Sequence, residues 1–325
     1  TIVASSLRLA QTICDELATY GIKVAVSNSH RDVGVEYTAA KFRSIKAVRS
    51  RFHKAGIRQT RIKSLSHITR FAKFLFSTGT YNQATWGHEV VGLSNTDILT
   101  LTRMAAASCG IHQAMKCLTS TVCFCLSPRK HPWLRIISDT FRLWFKVIAN
   151  FSHNAWDLHE AWKAAREELA SRNDNISYVR GLMSNIVRLL RILKWQPVHE
   201  FRWIDPQGVA WECNPTGAGN SNLIVFALQN TAEGVLWAKA SQHYNGKGLE
   251  EGISYSHTIA NTEYYRKLKN YSSSGACETL MAAACWSPHR RFEANLVSLE
   301  ESVCKLCGDQ LCDDMHQWWT CPALD

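Results

Sequence analysis

The stretch from Lys41 to Lys73 carries the charge surplus of the whole chain. It contains eleven lysines or arginines and no aspartate or glutamate, whereas the chain has 37 basic and 27 acidic residues and a formal net charge of +10. Because like charges repel, a segment of this composition is stable only where its cations face water or a polyanion. We therefore expect the stretch to fold with most of its basic side chains on the outside.

Apolar residues recur through the same stretch at near-helical spacing, from Phe42 to Leu75. This spacing predicts two successive helices, each with one buried face, and Gly56 is the predicted break between them. The basic residues then lie in a row suited to a phosphate backbone, although a solvated helix face without a ligand is the alternative. We predict contact with RNA or DNA by Arg43, Lys46, Arg49, Arg51, Lys54, Arg58, Arg61 and Lys63.

Composition indicates a folded protein. The 325 residues are 46% hydrophobic and include twelve tryptophans, enough for one large core or several modules. The most apolar stretches, residues 118–126 and 133–151, are too short or too charged to span a bilayer, so we predict no membrane partner. Eight of the twelve cysteines are scattered in apolar or helical settings. This pattern is typical of buried free thiols in a reducing, intracellular compartment.

Hydrophobic periodicity predicts a mainly α fold with small β elements, in the α+β class. Helices are predicted over residues 5–20, 94–109, 134–148, 155–169, 179–193 and 232–244. Ser94 is the predicted N-cap of the second of these, because Asp97 follows it by three residues.

The β elements are predicted from alternation and turn chemistry. Alternating apolar residues predict short strands at 22–26 and 31–37. A β-hairpin is predicted at 201–212, because Asp205, Pro206 and Gly208 favour a turn at its centre. Residues 272–275 are predicted to be a loop before a further helix.

A motif of cysteine and histidine lies near the C-terminus. Cys304, Cys307, His316 and Cys321 have the spacing C-x2-C-x8-H-x4-C. Three thiolates and one imidazole are a closed tetrahedral ligand set for structural Zn²⁺, which leaves no position for a catalytic water. Cys312 inside the loop is a fifth possible ligand, and a small cysteine-rich helical end without metal is the alternative. The motif predicts a zinc site that folds the chain locally.

Motifs for catalysis are missing from the sequence. It contains no glycine-rich phosphate loop, nucleophile motif or two-metal carboxylate set. The pair Asp313 and Asp314 lies inside the predicted zinc loop, and Asp205 is explained by its turn. We therefore predict no catalytic residue in this chain and no small-molecule substrate.

Three segments together resemble the non-LTR (LINE-like) retrotransposon reverse transcriptases. Residues 31–38, the basic stretch, and Gln83-Ala84-Thr85-Trp86-Gly87-His88 resemble the end of the palm and the thumb in that family. Val33-Gly34-Val35 stands in the place of the strand that closes the palm. The ligand motif with Trp318-Trp319-Thr320-Cys321-Pro322 is similar to the Cys-Cys-His-Cys (CCHC) zinc knuckle of such reading frames.

The resemblance covers residues 1 to about 110 and 301–325, and together with the changes in sequence character it predicts a division of the chain along its length. Its segments are the end of the palm (1–40), basic thumb-like helices (41–130), a helical region (131–195), a mixed α/β region of unassigned role (196–300) and the zinc knuckle (301–325).

The resemblance also implies a function. It indicates a fragment of an RNA-directed DNA polymerase, with RNA or DNA as its partner and a nuclear location. The palm aspartates that hold two Mg²⁺ ions in that family are absent from this chain, and we expect them before Thr1. The alternative is a non-enzymatic, zinc-containing adaptor, in which tryptophan-rich helices of residues 133–194 and the knuckle bind another protein.

Overall fold

The structure is a computed structural model that describes residues 1–4, 6–32, 35–38, 40–111, 116–213, 220–308, 311–314 and 316–324. It is mainly helical with two small antiparallel sheets, which confirms the predicted fold class. The described residues form two compact units. The first contains residues 1–111 and 118–253, and the second contains residues 116–117 and 254–324.

The helices of the first unit follow one another with short connections. They are α1 (Leu7–Thr19), α2 (Lys46–Ser66), α3 (Ala72–Leu75), α4 (Tyr81–Thr85), α5 (His88–Val91), α6 (Asn95–Ser108), α7 (Leu118–Leu126), α8 (Pro132–Asn150), α9 (Ala155–Ala170), α10 (Leu182–Ile192) and α11 (Ser221–Ser241). A π-helical turn, Phe76–Thr80, joins α3 to α4. The helix predicted over residues 232–244 is the second half of the longer α11.

The basic stretch forms one long helix, so the predicted break at Gly56 is wrong. Helix α2 runs without interruption from Lys46 to Ser66. It continues through Gly56 because its buried positions recur every three or four residues on both sides, against α4 and α6. A Cβ atom at position 56 would make only an ordinary contact with Met104, 3.9 Å away. Nothing at this glycine therefore forces the chain to turn.

The N-terminal β structure differs from the predicted strands. In place of one strand over residues 31–37, the described residues form an antiparallel pair, β1 (Ser29–Asp32) and β2 (Val35–Thr38). Residues 22–26 form no strand, and only Val26 makes an isolated bridge, to Ile2. The predicted palm-closing segment falls partly on Val33 and Gly34, which lie outside the described residues.

The predicted β-hairpin is confirmed and has a third strand. Strands β4 (Arg202–Ile204) and β5 (Ala210–Glu212) pair across the predicted turn, and β3 (Gln196–His199) pairs with the other edge of β4. The Oδ1 atom of Asp205 accepts hydrogen bonds from the backbone N–H groups of Gln207 and Val209, both at 2.9 Å. Gly208 has a φ of +87°, the left-handed conformation that glycine adopts most readily.

Two hydrophobic cores lie in the first unit. One surrounds the inner faces of α2, α4 and α6, and the other runs from Trp133 to Ala232. The second core therefore continues across the boundary that the sequence predicts at residues 195–196. Its largest side chains include Trp144, Trp162 and Trp203, each at most 1% exposed. Truncation of such an aromatic side chain costs about 3–5 kcal/mol, so these residues dominate the stability of the unit.

The predicted N-cap of α6 is confirmed. The Ser94 hydroxyl accepts from the N–H of Asp97 at 3.1 Å, and the Asp97 carboxylate accepts from the N–H of Ser94 at 2.9 Å. This reciprocal pair is the predicted capping box of α6.

The second unit is smaller and contains α12 (Tyr255–Lys267), α13 (Tyr271–Met281) and α14 (Pro288–Glu293). The loop predicted at residues 272–275 is wrong, because these residues lie in the first turns of α13. The side chain of Asn270 accepts from the N–H of Ser273 at 3.1 Å, and this cap starts the helix before the serines.

Candidate nucleic-acid interface and metal centre

Helix α2 separates its residues into a buried stripe and a basic outer face. The stripe includes Val48, Ala55 and Ile62, spaced seven residues apart so that they fall on one side of the helix. Six predicted contact residues are exposed on the remaining surface, which we call the basic face: Lys46, Arg49, Lys54, Arg58, Arg61 and Lys63. Within the described part of the chain, no side chain of the six makes a hydrogen bond or an ion pair.

The other two predicted contact residues bond within the fold. Arg51 is only 9% exposed and donates a hydrogen bond to the backbone carbonyl of Trp86. Arg43 donates to the carbonyls of Val91 and Gly92, at 2.7 and 2.8 Å. Burial lowers the pKa of the Arg43 guanidinium. Through these hydrogen bonds, α2 and the residues just before it are held against the segment at residues 86–92.

A cluster of aromatic and basic side chains follows α2 in the chain. Phe71 and Phe74 are 60% and 42% exposed, and their rings stack with centroids 6.4 Å apart. Arg70 lies 5.2 Å from the ring centroid of Phe71, and Lys73 and Lys130 lie 5.7 and 5.4 Å from that of Phe74. We call these five residues the aromatic–cation cluster. Arg70 and Lys73 belong to the predicted basic stretch, whereas no sequence pattern indicates that the rings beside them are exposed.

The four predicted metal ligands come together in the second unit. The ligand atoms of Cys304, Cys307, His316 and Cys321 all lie within 4.8 Å of one another, and we call them the Cys/His cluster. The Sγ atoms of Cys304 and Cys321 are 3.7 Å apart, and Sγ of Cys307 is 3.2 Å from Nε2 of His316. The cluster is a site that could hold a metal ion.

Backbone hydrogen bonds bring these four side chains together. Val303 and Leu311 form an antiparallel bridge, so the chain folds back between Cys307 and Cys312. The N–H of Gly308, which has a φ of +80°, donates to the carbonyl of Cys304 at 2.8 Å and closes the turn that presents the first two thiols. The Oδ1 atom of Asp313 accepts from the N–H of His316 at 2.6 Å.

The thiols of this cluster differ in their acidity. Hydrogen bonds from the backbone N–H groups of Cys307 and Leu306 lower the pKa of the Cys304 thiol to about 6. Burial raises the pKa of Cys321, and it raises the pKa of Cys312 to about 11. Cys312 is buried beside the cluster but is not a member of the four-ligand group.

The remaining predicted features are placed as follows. The segment Gln83–His88, part of the reverse-transcriptase resemblance, spans the end of α4 and the start of α5. Gly87 between them has a φ of +76°, and a Cβ atom there would lie 2.8 Å from a methyl carbon of Val35 on β2. The side chains of Trp318 and Trp319 lie outside the described part of the structure.

The chain has no match in the comparisons with known proteins, so its own geometry is the basis for interpreting the site. No protein-family model matches the chain, and no curated protein or solved structure matches it. Among the described residues, no helix has both the length and the apolar character needed to cross a bilayer.

Proposed function

We propose that this chain is a nucleic-acid-binding fragment of a retrotransposon reverse transcriptase, in which the basic face of α2 holds the phosphate backbone of template and primer. The observation that carries the proposal is that six exposed cations on one helix have no acidic partner among the described residues. Each phosphate that such a side chain neutralises releases a condensed counterion, which favours binding. Contacts of this kind position a duplex without reading its sequence.

The dimensions of the basic face suit an extended polyanion. Residues 46 and 63 are separated by seventeen steps of a continuous helix, which corresponds to about 25 Å at 1.5 Å per residue. Duplex DNA carries a phosphate charge for about every 1.7 Å of its axis, so several phosphates lie within that span. Arg43 and Arg51 contribute by holding the helix in place, since their guanidinium groups bond to backbone carbonyls.

The aromatic–cation cluster adds a second mode of contact to the proposal. Exposed Phe71 and Phe74 offer flat surfaces on which unpaired bases stack, with basic side chains beside them for the phosphates. Stacking is worth about 1–3 kcal/mol per base and tolerates any sequence. We assign this cluster to single-stranded template.

We assign structural Zn²⁺ to the Cys/His cluster. Two sulfurs bound tetrahedrally at 2.3 Å lie about 3.8 Å apart, close to the spacing of Cys304 and Cys321. Three thiolates and one imidazole fill all four positions, so the ion folds the surrounding loop and takes no part in catalysis. In this proposal the residues of the chain bind and position nucleic acid.

The test is a salt titration of binding to a labelled RNA–DNA duplex by fluorescence anisotropy. The test variant replaces all six residues of the basic face by glutamine. We expect its affinity to fall at least about 100-fold near 0.1 M salt and the slope of log K against log salt to become shallower by several units, since each lost phosphate contact removes about 0.9.

A matched control distinguishes the effect of the basic face on binding from the effect of net charge. It replaces six other exposed cations of the first unit by glutamine: Arg142, Lys146, Lys163, Lys194, Arg202 and Lys239. The control has the same net charge as the test variant, and we expect it to keep most of the affinity and the steep slope. Equal losses in both variants would contradict the assignment to α2.

A further variant tests the stacking assignment. Replacement of Phe71 and Phe74 by leucine keeps the local hydrophobic packing and removes the rings. We expect weaker binding of single-stranded RNA, by about tenfold for one lost stacking contact, with duplex binding unchanged. Equal weakening for both ligands would show that the cluster does not select unpaired bases.

The adaptor function has less support from the side-chain positions. It requires tryptophans of residues 133–194 to form an exposed surface. Trp133, Trp144 and Trp162 are at most 7% exposed, and only Trp156, at 74%, faces solvent. The helices of this region use their tryptophans to build the core.

A further inference from the structure

Two histidines and a glutamate meet on the surface of the first unit. His159 lies on α9, His199 is the last residue of β3, and Glu200 follows it in the turn before β4. Their ligand atoms all lie within 4.8 Å of one another. We call these three residues the His–Glu cluster. Neither the zinc motif nor the basic face uses any of them.

The geometry centres on one carboxylate oxygen. The Nδ1 atoms of His159 and His199 each lie 3.1 Å from Oε2 of Glu200. The two imidazole rings stack with centroids 4.9 Å apart and planes inclined by 30°. Three ligand atoms bound to one ion at 2.0–2.2 Å lie about 2.8–3.6 Å apart for octahedral to tetrahedral angles. The two nitrogen–oxygen distances fall inside that range without rearrangement.

Burial of the carboxylate is the second observation. The side chain of Glu200 is 2% exposed, whereas those of His159 and His199 are 42% and 43% exposed. A buried carboxylate is costly unless positive charge or hydrogen bonds compensate it. In the described residues, the two imidazoles supply its only hydrogen-bonding or ionic contacts. The carboxylate of Glu200 therefore forms the buried end of the His–Glu cluster, and the two imidazoles form its solvent-facing side.

The fold holds the three donors together before any ion binds. The guanidinium of Arg166, two turns after His159 on α9, donates to the carbonyl of Val198 on β3 at 2.6 Å. This bond fixes the end of the strand against the helix. Preorganisation of this kind reduces the cost of ordering ligands on binding.

We propose that the His–Glu cluster is a second metal site of this protein, which binds a divalent transition-metal ion of the Zn²⁺ class. Two imidazole nitrogens and one carboxylate oxygen suit Zn²⁺, Co²⁺, Ni²⁺ or Cu²⁺, whereas Mg²⁺ and Ca²⁺ prefer all-oxygen sites. Three protein ligands leave at least one position for water on the exposed side of the imidazoles. This open site contrasts with the closed Cys/His cluster.

Cobalt binding to the full chain, with zinc retained in the Cys/His cluster, tests the proposal. We expect one equivalent of Co²⁺ to bind with weak visible d–d absorption and without the intense near-ultraviolet band of thiolate-to-cobalt charge transfer. His159→Ala and His199→Ala should each weaken this binding by more than about tenfold. His243→Ala, which removes an exposed histidine elsewhere in the unit, should leave it unchanged.

Several outcomes would overturn the second site. No binding, or equal binding by all three variants, would show that the cluster is a hydrogen-bonded ion pair. A thiolate charge-transfer band would place the cobalt at the cysteines. Circular dichroism of each variant checks that it is folded. Because both histidines are partly exposed, we expect the variants to keep the native secondary structure. Failure here leaves the nucleic-acid proposal untouched, since α2 contributes no residue to this site.

Discussion

The Sγ atom of Cys307 lies 3.2 Å from the Nε2 atom of His316, nine residues further along the chain. With Cys304 and Cys321 they form a cluster that could hold a metal ion, and the proposed structural Zn²⁺ predicts one tightly held ion in it. His316→Ala should lose this ion and the local structure around Cys304, Cys307 and Cys321, because binding energy at such a site is folding energy. Zinc content by mass spectrometry and proteolysis of the loop measure the two effects.

The matched control for this prediction is Cys312→Ser. Cys312 lies outside the four-ligand group, and burial raises the pKa of its thiol to about 11. We expect this variant to retain zinc. Loss of zinc in Cys312→Ser together with retention in His316→Ala would show that the ion uses Cys312 instead.

Two basic residues on α2 should respond differently to neutralisation. Arg51→Met removes the buried hydrogen bond to Trp86 and should lower the free energy of unfolding by about 1.5–3 kcal/mol. Lys54→Gln, three residues later on the basic face, should change it by less than about 0.5 kcal/mol but weaken nucleic-acid binding. Urea unfolding and anisotropy give the two measurements. A large stability loss in Lys54→Gln would contradict this division.

His131 should make the first unit sensitive to acid. Burial lowers the pKa of His131 to about 3, against an ordinary value of 6.5. Between these two pH values the unfolded chain takes up a proton that the folded chain does not. Stability therefore falls as the pH drops below about 6.5, by up to about 1.4 kcal/mol per pH unit, and the loss ends near the folded pKa.

The variant His131→Asn isolates this effect. Nδ1 of His131 accepts from the N–H of Trp133 at 3.2 Å and caps α8, and the asparagine oxygen is a suitable replacement acceptor. Urea unfolding near pH 7 and near pH 5 measures how much the free energy of unfolding falls between these pH values. This fall should be about 2 kcal/mol smaller in the variant than in the native protein. An identical pH dependence would mean that His131 becomes protonated in the folded state.

Gly92 should be more sensitive to substitution than Gly208. Both have a positive φ, but a Cβ atom at Gly92 would lie 2.9 Å from Oδ1 of Asn185, while nothing lies within 4 Å of one at Gly208. Asn185 also donates to the carbonyl of Glu89 at 2.9 Å, which links α10 to α5.

Alanine substitutions compare the two positions. Gly208→Ala should lower the free energy of unfolding by about 1–2 kcal/mol, from backbone strain alone. Gly92→Ala should lower it by about 1–3 kcal/mol more, because Asn185 must also move. Thermal unfolding measures the difference. Equal costs would show that Asn185 adjusts without loss of its hydrogen bonds.

Local features of the fold could be predicted because their physical cause is local. The capping box of Ser94 and Asp97 and the turn at Asp205 each depend on groups within four residues of one another. The ligands of the Cys/His cluster are further apart, over residues 304–321, but their residue types and spacing can be read from this one segment. The break assigned to Gly56 was wrong because helix propensity is a weak preference, which packing against α4 and α6 outweighs.

The amino-acid sequence by itself indicated exposed basic helical residues, a mainly helical fold and four cysteine and histidine residues that form one cluster. Charge repulsion, helical periodicity and ligand spacing act between near neighbours. Only the tertiary structure decided that Arg51 bonds inside the fold while Lys54 faces outward, because the carbonyl that Arg51 meets is 35 residues away. It also decided that His159 lies beside Glu200, 41 residues apart. Such pairs arise from packing between elements, which no local pattern specifies.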